Sequence, residues 1–179
     1  FRNTIKKIRG MFSIIYYDLN HNKIYAARDH FGQKPLWIYR NKNTFAMSST
    51  LKALIKVFKP EIDYDKIPHF ISKQGKVCPT FSIFNCITGL KAGNIIEFNK
   101  DLDSKLYSFF DYEDLINKDI YKETQINPLD KLNTVVKETI KIHCDTDTNM
   151  ALLLSGGYDS SIILKNLNEF NKPDLCLTK

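Results

Sequence analysis

The stretch that decides the fold is Met150–Ser161, which reads MALLLSGGYDSS. Its first part, 150–154, is a continuous apolar run, which is typical of a strand that is buried on both faces. A polar, glycine-containing turn follows, and the apolar residues 162–164 after it indicate the start of a helix. A helix, a buried strand, a turn and a second helix are the opening of a parallel α/β sheet.

The turn after this strand has the residues that a phosphate group requires. Gly156 and Gly157 have no Cβ atoms, so the backbone can fold tightly and direct its N–H groups at an anion. The next helix offers its free N–H groups and the positive end of its dipole to the same anion. Ser155 and Ser160 add hydroxyl donors, while Asp159 suits either a helix cap or a magnesium ligand. The turn is therefore interpreted as a nucleotide-phosphate loop.

The alternative is a polar turn with no ligand, because serine and glycine are common in turns. Its place at the carboxyl end of a strand favours the phosphate loop, since α/β sheets bind ligands there. The spacing G-x-x-x-x-G-K is absent, which excludes the loop of kinases and GTPases.

The first hundred residues predict strands that are joined by tight turns. A helix that ends before Pro60 and a second short helix interrupt them. Arg28 and Asp29 are interpreted as a pair that holds a turn together, and Tyr16, Tyr17, Phe31 and Trp37 as core residues. The strands are expected at 11–17, 23–29, 36–39, 44–48, 82–87 and 94–98, and the helices at 51–58 and 63–72.

Residues 99–125 are charged and tyrosine-rich, without a sustained period, which indicates a connector. Asn127-Pro128 then opens a helix, because proline is favoured in the first helical turn. The predicted domains are 1–100 and 126–179, with 101–125 between them. The chain begins at Phe1 rather than Met, and it is interpreted as a piece of a longer protein.

Composition restricts the classes of protein that remain. The formal net charge is +6, but the lysines are scattered, which favours a solvated surface over a nucleic-acid partner. No apolar run has the roughly 20 residues that span a bilayer. The cysteines have no metal-ligand spacing and are expected as free thiols in a cytoplasmic protein. They are Cys78, Cys86, Cys144 and Cys176.

Residues 151–161 resemble the signature v-L-L-S-G-G-l-D-S-S of the glutamine-dependent asparagine synthetases. Further blocks resemble that family in the same order along the chain. They are Gly10–Ile14 (G-x-F-A-F), Ala27–Leu36 (a-R-D-x-f-G-x-K-P-L), Ser49–Leu54 (S-E-i-K-A-L), and the stretches 80–84 and 89–93.

The resemblance implies an α+β, class II amidotransferase part with a β-sheet sandwich and helices, incomplete here. The start of an α/β synthetase domain of the ATP-pyrophosphatase type would follow it. Such an enzyme converts aspartate to asparagine through β-aspartyl-AMP, with ATP, magnesium and ammonia from glutamine. The resemblance places ATP at Leu154, Ser155, Gly156, Gly157, Asp159, Ser160 and Ser161, and the metal at Asp159.

The chain departs from the family at several positions. The nucleophilic cysteine and the glutamine-binding residues of the family have no counterpart here, so no catalytic residue is assigned. Thr50 replaces the usual Glu, Asn149 the usual Pro, and Tyr158 a small aliphatic residue whose replacement could crowd the nucleotide.

Three readings stay open beside asparagine synthesis. They are a truncated or degenerate relative without activity, a β-lactam-forming synthetase, and an amidophosphoribosyltransferase-like protein, which would lack the Ser-Gly-Gly loop. The oligomeric state, with a homodimer among the options, is also open.

Overall fold

The computed structural model describes residues 1–42, 44–74, 78–116, 127–170 and 173–178. The chain divides into two compact units, Phe1–Lys118 and Asp119–Lys179. Among the described residues, no helix is both long enough and apolar enough to span a membrane.

Unit 1 consists of two antiparallel sheets and short helices. One 3₁₀ turn of the described residues is Tyr64–Lys66. The strands are β1 (Ser13–Asp18), β2 (Lys23–Arg28), β3 (Trp37–Arg40), β4 (Phe45–Ser48), β5 (Ile87–Gly89), β6 (Asn94–Phe98) and β7 (Ser104–Ser108), and the helices are α1 (Arg2–Ile5), α2 (Leu51–Phe58), α3 (Ile67–Ser72) and α4 (Tyr112–Ile116).

The first sheet has the strand order β1-β2-β6-β7. Ala26 of β2 pairs with Ile15 on one side and with Ile96 on the other. The small side chains of Ala26 and Ala27 in the middle of this sheet are fully buried, which leaves room for larger residues on both faces. The sheet can therefore be packed on both sides.

The second sheet has the order β4-β3-β5 and packs against one face of the first. Ala26 and Phe98 from the first sheet share a buried cluster with Leu36, Ile38 and Leu90 from the segments around β3 and β5. This shared cluster makes the two sheets a sandwich.

Helices cover the outer faces of the sandwich. Ile5 of α1 packs with Ala27 and Ile95 on the far face of the first sheet. Leu54 of α2 packs with Tyr39 and Ile87 on the far face of the second sheet. Unit 1 is therefore α+β with antiparallel sheets between helices, and the prediction of this architecture is confirmed.

Three predictions for unit 1 are wrong. Of the strand expected at 82–87, only Ile87 lies in a strand, β5. Residues 82–86 form no strand, and their one β-bridge is the isolated pair Ile62↔Phe84. The segment 101–125 was expected as a connector, yet β7 lies in it and pairs with β6 along its length. Tyr16, Tyr17 and Phe31 were expected in the core, but they are 47%, 50% and 61% exposed, since β1 is an edge strand and Phe31 lies in a turn.

Unit 2 has the order helix, strand, helix, strand, with elements α5 (Pro128–His143), β8 (Ala151–Leu154), α6 (Tyr158–Phe170) and β9 (Leu175–Thr178). Asn127 caps α5 by accepting a hydrogen bond from the Leu129 N–H, directly before the proline. The division between the two units falls within 101–125, and the finer domain boundaries remain predictions.

Strands β8 and β9 pair in parallel, with α6 as their crossover. The Asp174 carboxylate accepts from the Met150 N–H at 2.7 Å, and the Asp174 N–H donates to the Met150 carbonyl at 2.8 Å, which fixes where the pairing begins. The expectation that β8 is buried on both faces is wrong for unit 2 as described. Leu153 is 74% exposed, whereas its neighbours Leu152 and Leu154 are half-buried, so one face alone is covered.

Candidate functional site

The glycine loop lies between the carboxyl end of β8 and the amino end of α6, as predicted. Gly156 has a φ of +78°, a left-handed conformation that glycine adopts without strain. A Cβ added to Gly156 would meet no atom within 4 Å, and one added to Gly157 would meet only the Ser155 hydroxyl at 3.4 Å. The space beside both glycines is therefore open to a ligand.

Tyr158 does not block the loop. Its side chain is 91% exposed, and Gly156 and Gly157 beside it are exposed as well. The crowding that this substitution suggested is therefore absent from the structure.

The serine hydroxyls of the loop are engaged within the loop itself. Ser160 and Ser161 both donate from Oγ to the Gly157 carbonyl, at 3.1 and 2.8 Å. The Ser155 Oγ lies 3.2 Å from the Ser160 Oγ and accepts a long hydrogen bond of 3.4 Å from the Gly157 N–H. These contacts hold the loop closed on one side, and a phosphate would have to replace some of them to use the hydroxyls as donors.

Backbone donors remain at the amino end of α6. Within α6, the first N–H that bonds back to the loop is that of Ser161, which donates to the Gly157 carbonyl at 3.1 Å. The N–H groups of 158–160 come before that bond, at the positive end of the helix dipole. Such groups suit an anion.

Asp159 is exposed in the first turn of α6. Within the described ranges, no cluster of three or more His, Cys, Asp or Glu side chains could hold a metal ion. A single carboxylate is nevertheless what a magnesium ion needs when phosphate oxygens and waters complete its shell. Leu154, half-buried at the end of β8, borders the same loop.

Asp29 in unit 1 is only 1% exposed and lies in a turn that is closed on itself. Its carboxylate accepts hydrogen bonds from four backbone N–H groups. Burial alone would raise the pKa of Asp29, but these hydrogen bonds outweigh it and lower the pKa. The four donors are Phe12, Phe31, Gln33 and Lys34, at 3.3, 3.1, 3.0 and 2.9 Å.

Arg28 completes this turn from the other side. Its guanidinium is 3% exposed and donates to the carbonyls of Gly32, Lys34 and Leu90, at 2.6, 2.9 and 2.7 Å. The Asp29 carbonyl also accepts from the Gly93 N–H at 2.9 Å. The interpretation of Arg28 and Asp29 as a structural pair is therefore confirmed.

Sequence reasoning missed what this pair connects. The segments around Phe12, 28–36 and 90–93 are far apart in the sequence, and they meet at Arg28 and Asp29. Each of these segments carries a glycine or an aromatic residue of the quoted family blocks, but nothing in their spacing indicated a shared contact.

No residue of unit 1 was assigned a catalytic role, and the thiols give no reason to change this. Cys78 is exposed, and its Sγ lies 3.1 Å from the Thr80 hydroxyl, which lowers the pKa of the thiol. A hydroxyl that stabilises a thiolate is not a general base.

Comparison with known proteins finds a family model that matches each part of the chain. The profile of the glutamine amidotransferase domain family matches residues 2–109, and that of the asparagine synthase family matches residues 131–176.

Individual relatives agree with this pairing. A putative glutamine-hydrolysing asparagine synthetase 2 of Methanocaldococcus jannaschii is 28% identical over 171 residues, which are 93% of this chain and 32% of that protein. Asparagine synthetase 2 of Bacillus subtilis is 28% identical over 169 residues, which are 89% of this chain and 22% of that protein. The chain thus spans about a third or less of the length of these relatives.

Among solved structures, the glutamine phosphoribosylpyrophosphate amidotransferase of B. subtilis covers 99% of this chain and 34% of its own, at 10% identity. The TM-score of this match is 0.37. The family assignment rests on the sequence matches, which cover the sandwich of unit 1 and the loop of unit 2 in one order. The chain belongs to the glutamine amidotransferase domain family over residues 2–109 and matches the asparagine synthase family over residues 131–176, in agreement with the names of its glutamine-hydrolysing asparagine synthetase relatives.

Proposed function

We propose that this chain serves the ATP-dependent conversion of aspartate to asparagine, with glutamine as the nitrogen donor. In this proposal, the loop of unit 2 binds the pyrophosphate end of ATP, and unit 1 belongs to the part that supplies ammonia. The reaction takes place in the cytoplasm, and its small-molecule substrates are ATP, aspartate and glutamine.

One observation carries the proposal. The open Gly156–Gly157 backbone lies at the carboxyl end of a parallel strand and at the amino end of a 13-residue helix, within the asparagine synthase match. An anion at this place would meet backbone N–H groups and a helix dipole, with no Cβ atom in the way.

In this proposal, different residues of the loop contact different parts of ATP. The backbone at 156–160 binds the β- and γ-phosphates, and Leu154 borders the adenosine. When the aspartate carboxylate attacks the α-phosphorus, the bond to pyrophosphate breaks and its electron pair leaves with the pyrophosphate. The N–H groups stabilise the negative charge that grows there, which lowers the barrier. Ammonia then attacks the acyl carbon, and AMP leaves.

Magnesium fits the same place. The carboxylate of Asp159 is one hard oxygen ligand beside a phosphate loop, and phosphate oxygens supply others. When bound, magnesium neutralises phosphate charge. Asp159 also favours the helix electrostatically, because it lies in the first turn of α6.

The experiment titrates the 179-residue chain separately with magnesium-ATP, inorganic pyrophosphate and AMP. Calorimetry measures the binding in each titration. The variant Gly157→Ala is informative, because the new methyl group would meet only the Ser155 hydroxyl at 3.4 Å and so leaves the fold intact. We expect ATP and pyrophosphate to bind in the wild type, and Gly157→Ala and Asp159→Ala each to bind them at least about tenfold more weakly.

AMP lacks the pyrophosphate, so its affinity should change little in either variant. An absence of saturable ATP binding in the wild type contradicts the proposal. Equal ATP affinity in the wild type and in both variants does so too, because the ligand would then lie elsewhere.

A further inference from the structure

The side chain of Tyr158 has no hydrogen-bond or ring partner among the described residues. It is 91% exposed. An aromatic ring that stays exposed beside the loop is available to a ligand, and a tyrosine offers a hydroxyl as well as an apolar face.

The place of Tyr158 in α6 sets how its side chain leaves the backbone. Tyr158 is the first residue of α6. In a helix, each Cα–Cβ bond tilts towards the amino end. The side chain of a first residue therefore leans towards the end of the helix at which the free N–H groups lie.

The hydroxyl of Tyr158 differs from the serine hydroxyls of the loop in its hydrogen bonds. Ser155, Ser160 and Ser161 already share hydrogen bonds with one another and with the Gly157 carbonyl. Between 155 and 161, Tyr158 thus has the one side-chain hydroxyl without an internal partner among the described residues. A phenol O–H can donate to a phosphate oxygen without disturbing the loop.

We infer that Tyr158 is a ligand-binding residue, and that its phenolic hydroxyl donates a hydrogen bond to the terminal phosphates of the ATP held by the loop. The inference rests on the proposed function and adds a residue to it. At this position, the signature that the chain resembles has a small aliphatic residue, which offers no such donor.

The test compares Tyr158→Phe and Tyr158→Leu with the wild type in magnesium-ATP and AMP titrations of the whole chain. Phe keeps the ring and removes the hydroxyl, and Leu removes both. We expect both variants to bind ATP about tenfold more weakly, which corresponds to about 1.4 kcal/mol for one hydrogen bond to a charged group. AMP affinity should stay within about twofold, because AMP lacks the terminal phosphates.

Tyr64→Phe is the matched control. Tyr64 is 75% exposed in unit 1 and should leave ATP affinity unchanged. Far-ultraviolet circular dichroism and the melting temperature should be the same in all variants, since Tyr158 is 91% exposed and makes no hydrogen bond or ring contact with a described residue.

The outcomes separate this inference from the function on which it rests. If the wild type binds ATP and Tyr158→Phe binds it equally well, the inference is wrong and the loop assignment stands. If Phe preserves the affinity while Leu loses it, the ring stacks on the ligand, and the hydroxyl has no role. If the wild type does not bind ATP, the proposed function and the inference both fail.

Discussion

The Arg28–Asp29 turn of unit 1 and the loop at 155–161 of unit 2 differ in how they use similar residues. Each contains an aspartate beside a glycine-bearing turn. In unit 1, the aspartate and arginine are 1% and 3% exposed, and backbone groups satisfy both. In unit 2, the glycines and Asp159 are exposed, and the amino end of the helix has donors that precede its first bond.

Burial and hydrogen-bond satisfaction commit the first turn to holding the fold, whereas exposure leaves the second turn open to a ligand. A carboxylate that accepts four backbone N–H groups in the protein has no capacity left for a metal ion. An exposed carboxylate beside open glycines has that capacity. The same residue types therefore predict opposite consequences of mutation in the two units. Trp37 is the single tryptophan of the chain, so its fluorescence reports on the unfolding of unit 1 alone.

The largest difference should come from Asp29→Ala and Asp159→Ala. Removal of the Asp29 carboxylate leaves buried N–H groups without an acceptor and the Arg28 guanidinium without a nearby negative charge. We expect the free energy of unfolding of unit 1 to fall by about 3–5 kcal/mol, as for other broken buried networks. Asp159→Ala should change the stability of unit 2 by less than about 1 kcal/mol, the size of a helix-dipole interaction.

Urea unfolding measures both effects, with Trp37 fluorescence for unit 1 and circular dichroism for unit 2. A loss of less than about 1 kcal/mol for Asp29→Ala would show that the turn is not essential to unit 1.

The next difference should come from glycine to alanine substitutions. Gly93 has a φ of +66°, and a Cβ there would overlap the carbonyl oxygen of Phe110. Gly156 has a φ of +78° but open space around it. We expect Gly93→Ala to destabilise unit 1 by about 3 kcal/mol, from the left-handed conformation and the steric overlap together. Gly156→Ala should cost about 1 kcal/mol, from the conformation alone.

The midpoints of the same urea transitions test this ordering. If both substitutions lower the free energy of unfolding equally, the carbonyl of Phe110 can move away from the new methyl group. The packing around Gly93 is then looser than the structure shows.

The smallest difference in stability is expected for an ion pair of each unit, and it depends on pH. Glu97 accepts from Lys23 at 2.7 Å and from Arg2 at 2.8 Å, and its side chain is 8% exposed. The hydrogen bond from Lys23 lowers the pKa of Glu97 most; burial opposes it, and Arg2 reinforces it. Because the pKa is lower in the folded state, the pair stabilises unit 1 above the ordinary pKa of 4.5 and ceases to do so as the pH falls through the folded value.

We expect Glu97→Gln to cost about 1 kcal/mol at pH 7 and to make the loss of stability below pH 4.5 less steep. Glu169→Gln is the control in unit 2, where Glu169 pairs with Lys137 at 2.8 Å and both side chains are 45% exposed. It should cost at most about 0.5 kcal/mol. If the free energy of unfolding of unit 1 falls equally steeply with acid in Glu97→Gln and in the wild type, groups other than Glu97 cause the acid sensitivity.

Local sequence patterns predicted most of the elements that position the site. The apolar run at 151–154, the Gly156–Gly157 pair and the Asn127-Pro128 start each act over a few residues. Because these signals are local, β8, the loop and α5 lie where the sequence placed them.

The failures have non-local causes. Strand β7 contains Ser104, Lys105 and Ser108, whose polar character hides a strand that is stabilised by its pairing with β6. Tyr16 and Tyr17 have strong strand propensity, but the sheet order leaves β1 at an edge, which no local pattern reveals. The internal hydrogen bonds of Ser155 and Ser160 likewise depend on the closed geometry of the loop.

The register of β2 has a consequence for the order of events during synthesis. Its Ala26 needs Ile96 as a neighbour, so the centre of the first sheet waits for a strand that the ribosome makes about 70 residues later. At roughly 5–20 residues per second, this delay is on the order of ten seconds. Until then, one edge of β2 has no partner strand, and an unpaired strand edge is a place at which other chains can add.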